Sequence, residues 1–263
     1  MPGPGPHTIY ALTSGLALLH LSNGRFSPHH CLVYAANAFI GPDLGSFAEW
    51  LSETLKAGEA TGSAAMDLIH HPFYYILILG LPLSFFYRWV SKILLHKGVL
   101  ESVSGVPLTV RQCFLLVSAG SLSHFFLDHL FEENGQSSMY TWILSTGWWN
   151  TRAPNNPEAV IVVGFLCSCL IGGFIYIYRV KHNKSITARS HQSVYLIVVV
   201  ASLYCLWCTS QIYWRNPPQP AVGEEADLGV LVFLAIHFAL PHSLCIMSMN
   251  PRDHLGTIGE LPR

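Results

Sequence analysis

Ser123-His124-Phe125-Phe126-Leu127-Asp128-His129 stands inside an apolar run, and its reading decides the fold. His124 and Asp128 are four positions apart, so on a helix they share one face. The run around them, 108–131, is close to the ~20 residues needed to cross a bilayer. Ionisable groups in such a segment are costly unless they are paired, hydrated or bound to a metal. The chain holds other residues of the same chemistry that can converge on them: His29, His30, Asp43, His70 and His71.

Working outward, composition agrees with a membrane setting. The 263 residues are 51% hydrophobic and 11% charged, and mean hydropathy is +0.39. Soluble domains carry about 25% charged residues. A net charge of −1 leaves no basic face, so nucleic acid is excluded as a partner. Further apolar segments run over 72–89, 159–178, 194–214 and 228–248, and two shorter ones over 9–21 and 31–40. The expected fold is all-α, a polytopic transmembrane helical bundle of about 5–6 spans forming one domain over 1–263. Segment 9–21 is expected to cross and 31–40 to pack as an interfacial or re-entrant helix. The start, Met1 to His7, lacks the basic region of a cleavable signal peptide.

Loop charge sets an orientation. Loop 88–111 holds Arg88, Lys92, Lys97 and Arg111 against Glu101, and 179–191 holds Arg179, Lys181, Lys184 and Arg189 with no acid. The intervening loops lean acidic, with Glu132, Glu133 and Glu158, then Glu224, Glu225 and Asp227. The positive-inside rule then puts 88–111, 179–191 and the tail 250–263 in the cytosol, and 41–71, 132–158 and 215–227 on the luminal or exterior side. The sequon Asn183-Lys184-Ser185 is expected to stay unused in that cytosolic loop. His70 and His71 open one span at its non-cytosolic end, and His124, Asp128 and His129 close the next at the same end. If 9–21 crosses from the cytosol, His20, His29 and His30 arrive there too. The residues fall at one depth, within 1–135.

The chemistry follows. Catalytic zinc takes about three ligands from His, Asp or Glu and keeps a position for water. The metal lowers the pKa of that water to near neutrality, and a metal pair can clamp a phosphoryl displacement. Asp43 sits in Gly41-Pro42-Asp43-Leu44-Gly45, a turn that ends an apolar run; it is a candidate ligand or helix cap, or both. His70-His71-Pro72 opens a helix with proline at its first position. Trp142, Trp148, Trp149 and Arg152 form an aromatic, mildly basic loop near the same face. It reads as an interfacial belt or as a rim for a headgroup, with Arg152 steadying a phosphate. The expected metal set is His29, His30, Asp43, His70, His71, His124 and Asp128, with Asp43, Asp128 and Arg152 in catalysis. The metal is zinc, with Mn or Fe as alternatives. Cys205-Leu206-Trp207-Cys208 lies in a span with no second pair and reads as packing.

An early His, a Pro-Asp turn, a further His, then His-x-x-x-Asp resembles the bacterial membrane-bound metal-dependent hydrolases. More distantly the pattern is similar to the zinc-dependent phospholipase C and nuclease group. The matching positions are His29 or His30, Asp43, His70 or His71, His124 and Asp128, all in the first half of the chain. The resemblance implies a metal-dependent phosphoesterase. The expected substrate is a lipid or lipid-linked phosphoester at the luminal leaflet, and the expected location is the endoplasmic reticulum or plasma membrane. The phospholipase group also uses a mature N-terminal amine and a further His and Glu, for which His129 and Glu133 are the nearest counterparts. The competing readings are a metal-ion or proton transporter and a non-catalytic membrane assembly factor. His237 and His242 would have to carry a transport path onward and otherwise read as packing histidines.

Overall fold

The structure is a computed structural model that describes residues 4–22, 24–55, 62, 68–102, 104–130, 156–179, 186–219 and 239–249. Among these residues the secondary structure is helical, apart from one isolated bridge between Leu100 and Arg179. The helices are α1 (Pro4–Leu21), α2 (Pro28–Phe39), α3 (Leu44–Thr54), α4, α5 (Val110–Leu130), α6 (Pro157–Tyr178), α7 (Ile186–Thr209) and α8 (Ala239–Met247). α4 opens as Pro72–Tyr74, widens into a π segment over Tyr75–Leu79 and continues as Gly80–His96. Four stretches are long and apolar enough to cross a membrane: Tyr75–His96, Val110–Asp128, Pro157–Tyr178 and Ala188–Thr209. The chain is therefore compatible with an integral membrane protein.

Local chemistry starts these helices. At α5, Thr109 Oγ1 accepts from the Gln112 N–H at 3.2 Å, and Gln112 Oε1 accepts from the Thr109 N–H at 3.0 Å. This reciprocal box satisfies two orphan donors. At α2, Pro28 occupies the first turn and His30 Nδ1 reaches back to the Ser27 N–H at 3.1 Å. At α4, His71 is the N-cap, its Nδ1 accepting from the Phe73 N–H at 3.3 Å.

The centre of the bundle is α2 against α5. A Cβ on Gly120 would stand 2.6 Å from the Tyr34 carbonyl oxygen and 2.9 Å from the Ala38 nitrogen. Glycine is what lets these two backbones approach, as small residues do at membrane helix contacts. Polar side chains seam the contact. Tyr34 and Ser123 hydroxyls lie 3.1 Å apart, and Tyr75 donates to Asn37 Oδ1 at 2.8 Å. Large apolar side chains face outward on α4 (Leu77, Leu81, Phe85, Trp89) and α6 (Val160, Ile161, Phe165). Hydrocarbon, not a protein neighbour, suits such a surface.

The contacts order the two ends of the bundle. At one end lie His7 of α1, Asp43, His70 and Asp128. At the other, His20 meets Ser190, Arg189 pairs with Glu101, and Glu101 N–H donates to the Tyr178 carbonyl. The expectation that His20, His29 and His30 arrive at the end bearing Asp128 is corrected. α1 runs away from that end and α2 returns to it, so the loop between them sits opposite. The physical reason is that 28–39 is a buried helix running beside α1, not a re-entrant cap. The aromatic loop with Trp142, Trp148, Trp149 and Arg152, the residues Glu133, Asn183 and His237, and the tail 250–263 lie outside the described residues.

Candidate metal centre

Five side chains converge where α1 begins, α2 hands over to α3, α4 begins and α5 ends. Asp128 Oδ1 lies 3.3 Å from His7 Nε2, and Asp128 Oδ2 lies 3.2 Å from both His70 Nε2 and His124 Nε2. Asp43 Oδ1 lies 3.3 Å from His124 Nε2 and 3.8 Å from His70 Nε2. Two overlapping triads result, His7–His124–Asp128 and Asp43–His70–His124.

The spacing fits a cation. Donors held tetrahedrally at about 2.0–2.1 Å from one ion stand about 3.3–3.4 Å from each other. Four of the five distances here fall at 3.2–3.3 Å. The hydrogen-bond inventory agrees. Among the described residues His70 Nε2, His124 Nε2 and Asp128 Oδ2 are buried with no hydrogen-bond partner, although they point at one another. A buried polar atom left unsatisfied costs about 1–3 kcal/mol, and a cation shared by these atoms would satisfy all three. The donor set, three imidazoles and two carboxylates, suits zinc, manganese or iron.

The surroundings hold the donors in place. His124 Nδ1 lies 3.2 Å from the Ala38 carbonyl at the end of α2. A proton donated there leaves the Nε2 lone pair facing the cluster, which is how metal-binding histidines are usually oriented. That carbonyl is in reach because Gly120, one turn before His124, lets α2 come close. The His7 ring stacks on the His124 ring at 4.2 Å between centroids, and Phe125 stands edge-on to both His70 and His124. Asp43 carries a double role. Its backbone carbonyl accepts the Phe47 N–H and so starts α3, while its carboxylate turns to His124. The Asp43 side chain is thus directed at His124 and the contact it makes to α3 is through its backbone carbonyl.

The other sequence candidates lie elsewhere. His29 Nδ1 is 2.8 Å from Ser91 Oγ and its Nε2 is 3.3 Å from the Leu100 carbonyl. His30 Nε2 is 3.0 Å from the Ser248 carbonyl, with Nδ1 on Ser27. Both therefore knot helices at the opposite end. His71 caps α4 and stacks on Tyr74. His242 meets Tyr10 at 3.1 Å. No disulfide joins the seven cysteines, and Cys205 is exposed and Cys208 buried on one helix, in line with packing. The cluster also includes a residue that sequence reasoning passed over: His7. Its signal was its place just inside the first apolar segment, in an Xaa-Pro-His start hidden among prolines and glycines. The chain matches no family model, no curated protein and no solved structure.

Proposed function

We propose that this protein is a membrane-embedded, metal-dependent hydrolase of phosphoesters, with a lipid or lipid-linked substrate. The observation that supports it best is the five-residue cluster with donor spacings of 3.2–3.3 Å and orphaned buried atoms. The two overlapping triads, His7–His124–Asp128 and Asp43–His70–His124, hold divalent metal, zinc being the favoured ion. The cation supplies Lewis acidity and a water acidified to near neutrality. The reaction adds the water oxygen to phosphorus and breaks the ester P–O bond, and the water's proton ends on the leaving alcohol. Asp43 is 40% exposed at its side chain, whereas Asp128, His7, His70 and His124 are at 10% or below. Asp43 is thus the member that meets incoming substrate and water, and the other four grip the ion from inside.

The basic loops at the opposite end support a non-cytosolic location for this cluster, by the positive-inside rule. We read the bundle as crossing more often than the four longest helices alone, since α1, α2 and α8 run alongside them. The resemblance to membrane-bound metal-dependent hydrolases points the same way. A transport reading needs polar groups continuing from the cluster toward the other end. Beyond Ser118 and Ser121, α5 presents apolar side chains there, Val117, Leu116 and Cys113, all buried.

The test is elemental analysis of purified protein, followed by turnover of a panel of phospholipids and lipid-linked phosphates with and without chelator. Bound divalent metal and chelator-sensitive release of product are expected. No metal in the purified protein sinks the reading. Metal-dependent ion flux in sealed vesicles without product release would replace it with the transporter.

A further inference from the structure

Helix α3 carries a surface the metal cluster does not use. Leu44, Phe47, Leu51 and Leu55 are all exposed. At 100° per residue they fall within about 80° of arc, a continuous apolar stripe. The opposite side of the helix faces the chain: a Cβ on Gly62 would stand 2.9 Å from the Ser52 Cβ and 3.2 Å from the Glu49 Cα. The exposed stripe thus lies on the side of α3 away from Gly62.

Its depth is fixed by the cluster. Asp43, which starts α3, lies 3.3 Å from His124 and 3.8 Å from His70. His70 immediately precedes the start of α4, and the spanning part of that helix begins at Tyr75. The first turn of α3 is thus pinned at the level where a spanning helix begins. At that same level Phe73, Tyr74 and Leu77 are exposed on α4. Exposed aromatic and apolar side chains at a span's end belong at the boundary of headgroups and acyl chains. The stripe of α3 continues that belt.

We propose that α3 lies in the headgroup–acyl boundary of the leaflet at the metal end, with its apolar stripe in lipid. A membrane-resident substrate then reaches the cluster sideways past Asp43. The occupant of the stripe is the bilayer itself. An amphipathic helix of this kind buries its apolar face about 5–10 Å into the boundary. The route follows from exposure, because Asp43 is the half-exposed member of the cluster and it is also the first residue of the helix turn that lipid would cover. This entry route rests on the hydrolase reading, while the lipid contact of α3 does not. It narrows the substrate to a phosphoester whose acyl or prenyl chains remain in the leaflet.

The experiment uses the full chain in phosphatidylcholine nanodiscs, with the exposed Cys169 and Cys205 replaced by serine. Phe47→Cys, Leu51→Cys and Glu49→Cys are labelled singly with an environment-sensitive fluorophore. Labels at 47 and 51 should be quenched severalfold more by lipids carrying a nitroxide at a shallow acyl carbon than by aqueous iodide. The label at 49, on the side facing Gly62, should be quenched less by the lipid nitroxide than those at 47 and 51. Nitroxide quenching at 47 and 51 no greater than that at 49 overturns the docking surface. Separately, the double variant Phe47→Glu/Leu51→Glu should keep its metal, lose at least tenfold in turnover of a long-chain lipid phosphoester, and keep turnover of a water-soluble phosphoester. Equal loss on both substrates overturns the entry route. Lipid quenching with no turnover of either substrate by the unaltered protein confirms the helix placement and defeats the hydrolase reading instead.

Discussion

His7 Nε2 lies 3.3 Å from Asp128 Oδ1, joining the first turn of α1 to the last turn of α5. The contact means that the cluster closes only when the chain's beginning packs beside its middle. It also separates two classes of histidine in this protein. His7, His70 and His124 turn Nε2 toward the Asp128 carboxylate at 3.2–3.3 Å. His29 and His30 satisfy both ring nitrogens with hydroxyls and carbonyls.

That separation gives the first prediction. His7→Ala should lower bound metal at least about tenfold, the scale seen even for outer-shell changes around metals. His29→Ala should leave metal content unchanged and instead lower thermal stability, because Ser91 Oγ and the Leu100 carbonyl lose a buried partner at about 1–3 kcal/mol. Metal analysis and melting of the two purified variants decide it. Metal loss in His29→Ala with retention in His7→Ala would reverse the assignment.

Asp128→Asn makes a sharper test because it preserves size. Asp128 faces three imidazoles with its two oxygens, at 3.2–3.3 Å. The amide removes the negative charge that balances a divalent cation, and it places an NH2 where a lone pair is needed. Bound metal and turnover should both fall by more than an order of magnitude while the protein still folds. Full metal content in Asp128→Asn would refute the cluster as a metal centre.

Much of this was legible in the sequence, and the reasons are local. Four helices are apolar over about 20 residues, long enough to cross a membrane, and that signal needs no tertiary information. His124 and Asp128 were legible because four positions on a helix define one face. Asp43 and His70 were legible from turn chemistry and from the start of a span. His7 was not, since a lone histidine among prolines carries no periodic signal. His29 and His30 were misplaced because the direction of α1 depends on whether 28–39 crosses the bundle. A 12-residue helix is too short to announce that by hydropathy, and only its burial against α5 settles it.

Gly120 tests the link between packing and site. A Cβ there would meet the Tyr34 oxygen at 2.6 Å and the Ala38 nitrogen at 2.9 Å, both backbone atoms that cannot rotate away. Gly120→Ala should cost about 1–3 kcal/mol, as overpacked cores do. It should also weaken metal binding, because pushing α2 outward draws the Ala38 carbonyl from His124 Nδ1, now at 3.2 Å. The measurement is metal affinity by chelator competition beside a thermal melt. Lost stability with unchanged affinity would show that the carbonyl does not orient His124.

The last prediction concerns pH. Protons and metal compete for the same nitrogens, since a histidine must be neutral to ligate and a carboxylate ionised. The direction follows from the competition: the apo site takes up protons as pH falls, so apparent metal affinity must fall with it, toward one decade of affinity per pH unit for each ligating nitrogen that takes up a proton. Turnover should decline in parallel at subsaturating metal and recover when excess zinc is added. Asp43→Asn removes no histidine, so it should lower affinity at every pH while leaving the steepness of the acid limb unchanged. An acid limb that excess metal cannot rescue would mean that a group outside the cluster controls it, and His7, His70 and His124 would then lose their role as the titrating ligands.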